Sequence, residues 1–90
     1  MTEKIYYNDA YCKEFCATVI SCEESGGVYD IVLDKTAFFP EEGGQYSDKG
    51  YIEDAYVSDV KEIDGVIHHY ADKPFKTDEV VLCKLDFDER

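Results

Sequence analysis

Ninety residues make one domain. A chain of this length buries roughly 60–65% of the surface its unfolded form exposes. Twenty-one acidic residues against nine basic ones leave a net charge of −12, which repels nucleic-acid backbones, so this chain cannot supply a long-range attraction to RNA. Apolar residues at 44%, with eight tyrosines among the aromatics, exclude a disordered acidic tail, and no apolar run reaches the length of a membrane span.

The N-terminus, MTEKIYYNDAY, lacks the apolar core of an export signal. A cytoplasmic location is therefore expected, with Cys12, Cys16, Cys22 and Cys83 reduced. Lys4 to Asn8 reads as a short edge strand. Tyr11 to Ala17 reads as a helical turn or an irregular lead-in. On a helix, Cys12 and Cys16 would share a face and begin a zinc site, but no paired ligand set follows at the usual spacing. Ala17 to Cys22 predicts a strand and Glu23 to Gly27 a hairpin turn. Val28 to Leu33 alternates, with Tyr29, Ile31 and Leu33 on one face.

Ala37 to Phe39 predicts a short strand running into a glycine loop. Tyr51 to Ile63 holds one or two strands with Asp54 near a bend, and Glu62 to Gly65 a tight turn. Val66 to Tyr70 is a further strand, on which His68 and His69 point to opposite faces. Ala71 to Asp78 is a loop, and Val80 to Phe87 a strand with Val81, Cys83, Leu85 and Phe87 on one face. Short strands punctuated by turns predict an all-β fold, a small barrel of about six strands, which would also remove exposed sheet edges.

The segment TAFFPEEGGQYSDKG, residues 36–50, carries the strongest functional signal. Gly43 and Gly44 strip Cβ atoms from one stretch of main chain and allow positive φ, as a loop needs when a phosphate or another chain approaches its N–H groups. Gln45 adds an acceptor and two donors at the edge of that patch. Phe38, Phe39 and Tyr46 offer either a stacking face or core side chains, and aromatics beside a strand favour the core.

This motif resembles the editing module of alanyl-tRNA synthetases and the free-standing AlaX-type editing proteins. The family pattern falls on Phe39, Pro40, Glu41, Glu42, Gly43, Gly44, Gln45, Asp48 and Gly50. Ile67-His68-His69 and the closing Asp86-Phe87-Asp88-Glu89-Arg90 match later features. Many members carry glycine or serine in place of Glu42, so this loop is stiffer and more negative than theirs. Gly-Gly-Gln is also similar to the tripeptide of peptide release factors, but the acidic, strand-rich flanks here are unlike a long mobile loop in a basic setting.

The resemblance implies a translation-factor-like β-barrel that forms the first part of an editing module. It implies that Gly43, Gly44 and Gln45 lie beside the acceptor end of tRNA(Ala), with Phe39, Pro40, Glu41 and Asp48 supporting the loop. Glu41 in particular is expected to brace the glycines by accepting backbone N–H bonds. It further implies a second domain of the same protein, following residue 90, that holds the zinc and the hydrolytic centre. No catalytic or metal-binding residue is then expected in this chain, which alone would be inactive. The alternative is a structural or protein-interaction barrel with no RNA contact.

Overall fold

The computed structural model describes residues 3–4, 13–41 and 47–86. In chain order its strands are β1 (Glu3–Lys4), β2 (Glu14–Ser25), β3 (Val28–Leu33), β4 (Lys35–Thr36), β5 (Gly50–Ile52), β6 (Ala55–Ile63), β7 (Val66–Ala71) and β8 (Val80–Leu85). Six of them close into a barrel in the order β2-β3-β7-β6-β5-β8, every neighbouring pair antiparallel. β1 and β4 form a separate two-stranded parallel ladder. Among the described residues no helix is long and apolar enough to cross a membrane.

Local sequence explains most of these elements. β3 ends and begins at turns, and its partner β2 is reached through Gly26-Gly27, whose φ angles of 59° and 89° suit a two-residue hairpin connection. β8 alternates strictly, with Val81, Cys83 and Leu85 inside. Phe15, Ala17, Val19, Ile31, Leu33, Phe38, Ile52, Val57, Val60 and Ile67 join them in one core. Burial of each large aliphatic or aromatic side chain contributes about 1.5–3 kcal/mol.

β2 and β6 are the two strands that bend. The register of β2 against β3 shifts between Val19 and Ser21, and that of β6 against β7 between Val57 and Asp59. Inward positions change parity across each shift. Phe15, Ala17 and Val19 face the core and then Cys22 packs against it; Ala55 and Val57 face it and then Val60 does. Such bulges let one long strand serve two neighbours around a small barrel. The first half of β2 pairs with β8, and the second half with β3.

Several sequence expectations need correction. The turn expected over Glu23 to Gly27 is confined to Gly26-Gly27, because Glu23, Glu24 and Ser25 pair with Asp30, Tyr29 and Val28 and so extend β2. Glu14 to Ala17 is extended and paired with β8, not helical, because Phe15 and Ala17 alternate into the core. Ala37 to Phe39 is not a strand. The Phe38 and Phe39 amides are taken by side chains, Thr36 Oγ1 at 3.0 Å and Asp48 Oδ2 at 3.0 Å, leaving nothing for a ladder. Glu62 and Ile63 belong to β6, paired with Ile67 and Val66, so the turn is confined to Asp64-Gly65. The expected strand residues 5–8 and 87, with Cys12, lie outside the described residues.

Candidate functional site

The glycine loop is carried on a built stem. At its base Phe39 and Asp48 bond reciprocally: the Asp48 amide donates to the Phe39 carbonyl at 2.9 Å, and the Phe39 amide donates to the Asp48 carboxylate at 3.0 Å. One step further in, the Glu41 amide donates to the Val60 carbonyl at 2.8 Å. The Val60 amide donates to Ser47 Oγ at 3.1 Å and to Asp59 Oδ1 at 3.0 Å, while the Ser47 hydroxyl donates to that same Asp59 oxygen at 3.0 Å.

The position of this stem follows from the barrel. β5 pairs with β6 only across Ala55, Tyr56 and Val57. Beyond the bulge that side of β6 has no strand partner among the described residues, and Val60 turns both its backbone groups toward it. Residues 41 and 47 fill the gap, so the two arms of the loop replace the missing ladder and cover an edge that would otherwise stay open.

A second network fixes the chain just before the loop. His69 is fully buried, with Nδ1 2.8 Å from the Ile31 carbonyl and Nε2 2.8 Å from Thr36 Oγ1. A carbonyl only accepts, so Nδ1 carries the proton and Nε2 accepts from the Thr36 hydroxyl. Thr36 Oγ1 in turn accepts the Phe38 amide. The Phe38 ring packs edge-on against His69 at 5.4 Å and against Phe15 at 5.8 Å. Burial pushes the His69 pKa down to about 4, so the ring is neutral and structural at physiological pH.

Gly50 closes the motif for a steric reason. A Cβ built there would lie 2.1 Å from the Lys84 carbonyl oxygen, so β5 and β8 approach too closely for any side chain. The adjoining contact, from the Asp86 amide to the Lys49 carbonyl at 2.8 Å, ties the far end of the motif to the end of β8.

Of the residues expected to form the site, Gly43, Gly44 and Gln45, with Tyr46, lie outside the described residues. Phe39, Pro40, Glu41 and Asp48 are brought together at the stem. Pro40 is buried, Phe39 remains 39% exposed, and Phe38 is in the core. Phe39 is thus not a core side chain, since its neighbour Phe38 takes the inward position. The Asp48 carboxylate accepts the Phe39 amide and Glu41 joins the stem through its backbone, while the expected bonds from the Glu41 carboxylate to the glycines lie outside the described residues. Ser47, Asp59, Thr36 and His69 complete the support and were not singled out by the motif. The threonine two residues before Phe38 is the one local cue, because a hydroxyl at that spacing takes a nearby backbone amide.

Among the described residues the remaining chemistry-bearing groups do not assemble into a metal or catalytic cluster. His68 Nδ1 lies 2.8 Å and 3.0 Å from the two Asp30 carboxylate oxygens, on the outer face opposite His69. Cys16 is exposed and Cys22 partly so, and burial pushes the Cys83 thiol up to about 12, which makes it unreactive. Among the described residues no three His, Cys, Asp or Glu side chains converge as metal ligands.

A sequence model of the family described as tRNA synthetases class II (A) matches residues 2–89. The chain belongs to that family. Within it, the chain is 41% identical over 99 residues to the alanine–tRNA ligase of Halobacterium salinarum, covering 99% of this chain and 10% of the ligase. It is 38% identical over 93 residues to that of Ignicoccus hospitalis, with the same coverage of 99% and 10%. It is 40% identical over 93 residues to the alanyl-tRNA editing protein AlaX-M of Pyrococcus horikoshii, covering 100% of this chain and 41% of that protein. The chain therefore spans a tenth of the ligases and two fifths of the editing protein.

Proposed function

We propose that this barrel is the accessory, tRNA-positioning part of an alanyl-tRNA synthetase-related editing protein acting in the cytoplasm on tRNA(Ala) mischarged with serine or glycine. The observation that carries the reading is the stem. Reciprocal bonds between Phe39 and Asp48, and three further bonds onto the β6 bulge, hold both arms of a loop that contains Gly43, Gly44 and Gln45. Bare backbone at the glycines would suit a ribose-phosphate terminus, and the Gln45 side chain a sugar or base edge. The full coverage of this chain by the AlaX-M match adds support.

Bond breaking belongs elsewhere in this reading. Zinc, held by a further domain of the same protein, would supply the activated water. The residues described here do not form a set that fits it, so their part is to orient the acceptor end. The test is made in the full-length protein, with Gly43 and Gly44 both changed to alanine and deacylation of Ser-tRNA(Ala) measured. We expect kcat/KM to fall by roughly tenfold or more, the loss typical of a misplaced reacting group, while the barrel stays folded. Unchanged turnover would leave the rival, an interaction or structural barrel without RNA contact. The net charge of −12 favours that rival for the isolated chain.

A further inference from the structure

A second feature lies on the outer face of β2, β3 and β7, built from residues the glycine loop does not use. Ile20, Ser21, Val32, Ile63, Asp64, Val66 and His68 line an open groove of about 440 Å³. Two of its walls are large apolar side chains standing out from the barrel, Ile20 and Ile63, each 49% exposed. Their placement has a structural cause. Ile20 sits at the β2 bulge, where the register shift turns it away from the core, and Ile63 ends β6 at the tip of the Asp64-Gly65 hairpin.

Charge limits what can cover this groove. Asp64 lines it, and Asp30 stands behind His68. The nearby cation, Lys61, which pairs with His68 across β6 and β7, has Asp59 at 3.9 Å. A second copy of the chain would bring another −12, and a nucleic-acid backbone more negative charge still. Strand addition is closed off at the floor of the groove, where Ser21, Val32, His68 and Lys61 form one continuous run of paired residues across β2, β3, β7 and β6. What remains is insertion of apolar side chains from above, flanked by positive charge.

We propose that this groove docks a basic amphipathic helix from a protein partner, apolar side chains between Ile20 and Ile63, and lysine or arginine toward Asp64 and Asp30. The proposal is independent of the RNA reading of the loop. The probe is a synthetic amphipathic helix of leucine and lysine, titrated into the isotope-labelled chain by NMR, with a leucine-and-glutamate helix as its counterpart.

Shift changes centred on Ser21, Val32, Val66 and His68 are expected with the basic peptide alone. Ile63→Glu is expected to weaken binding about tenfold, the effect of losing an anchor side chain, although it makes the chain more negative. Asp64→Asn, which keeps a residue tolerant of the positive φ of 53° at this turn, is expected to weaken it about threefold, in keeping with one partly exposed charge pair. Tighter binding by Ile63→Glu, shifts spread over the whole surface, or equal binding of the acidic peptide would each overturn the proposal. So would a preference of the same residues for an RNA acceptor hairpin, or dimerisation of the chain through this face.

Discussion

His69 shows how one residue ties the loop to the core and to pH. Its ring is neutral in the fold because burial holds its pKa at about 4, against an ordinary 6.5 in the unfolded chain. Above pH 6.5 both states are neutral and the Ile31–His69–Thr36 bonds contribute in full. Between pH 6.5 and 4 the unfolded chain takes up a proton that the folded chain refuses, so stability falls as pH falls. The slope is about 1.4 kcal/mol per pH unit, and the total on the order of 3 kcal/mol by pH 4. Between pH 7 and pH 5 the native chain should lose about 2 kcal/mol more than a His69→Gln variant, read from urea unfolding at each pH. The variant supplies an amide that can both donate to Ile31 and accept from Thr36, without a group that titrates in this range. Parallel profiles for the two proteins would show that His69 takes up a proton as readily in the fold as in the unfolded chain, and that burial does not hold it neutral.

The stem illustrates the same logic at the level of an element. Asp48 closes the loop base and, together with Thr36, takes the amides that residues 37–39 would need for a strand. Asp48→Ala leaves the Phe39 amide without its acceptor and should cost about 1–3 kcal/mol. Faster hydrogen exchange should then appear at Phe39, Glu41 and Val60, whereas Asp48→Asn, which keeps an acceptor oxygen, should retain most of the protection. Unchanged exchange in the alanine variant would show that the stem is held by β6 alone. Legibility from sequence divides along the same line. β7 and β8 alternate cleanly and β3 lies between recognisable turns, so their bounds could be read almost to the residue. β2 and β6 run through bulges that reset the inward parity, and a two-residue period cannot show a strand that changes face midway. The motif pointed to Phe39, Pro40, Glu41 and Asp48. Ser47 to Asp59 and His69 to Thr36 join residues 12 and 33 positions apart in the chain, and no local pattern records such contacts.

At the scale of the whole molecule the dominant fact is −12 on a barrel of 90 residues. Ion pairs that oppose it, Lys73 with Asp54 at 2.8 Å and Lys61 with Asp59 at 3.9 Å, are exposed, a class of contact that adds little net stability. The compact state concentrates these carboxylates, while the unfolded chain spreads them, so repulsion acts against folding and is relieved by ions. Any RNA contact by this chain must then arise at short range, with no help from its overall field. Raising NaCl from about 10 mM to about 300 mM shrinks the Debye length from roughly 30 Å to below 8 Å, less than a third of the 24–27 Å extents of the described barrel. Stability by urea unfolding should rise by on the order of 1 kcal/mol across that range, with the denaturant slope unchanged. The same salt should not weaken contact of the isolated chain with an acceptor-stem hairpin, because no counterions are released when an acidic surface meets a phosphate backbone. A stability that stayed flat or fell with salt would mean that the acidic side chains are locally compensated in the fold. A steep loss of RNA contact with salt would reveal a basic surface that the described residues do not contain.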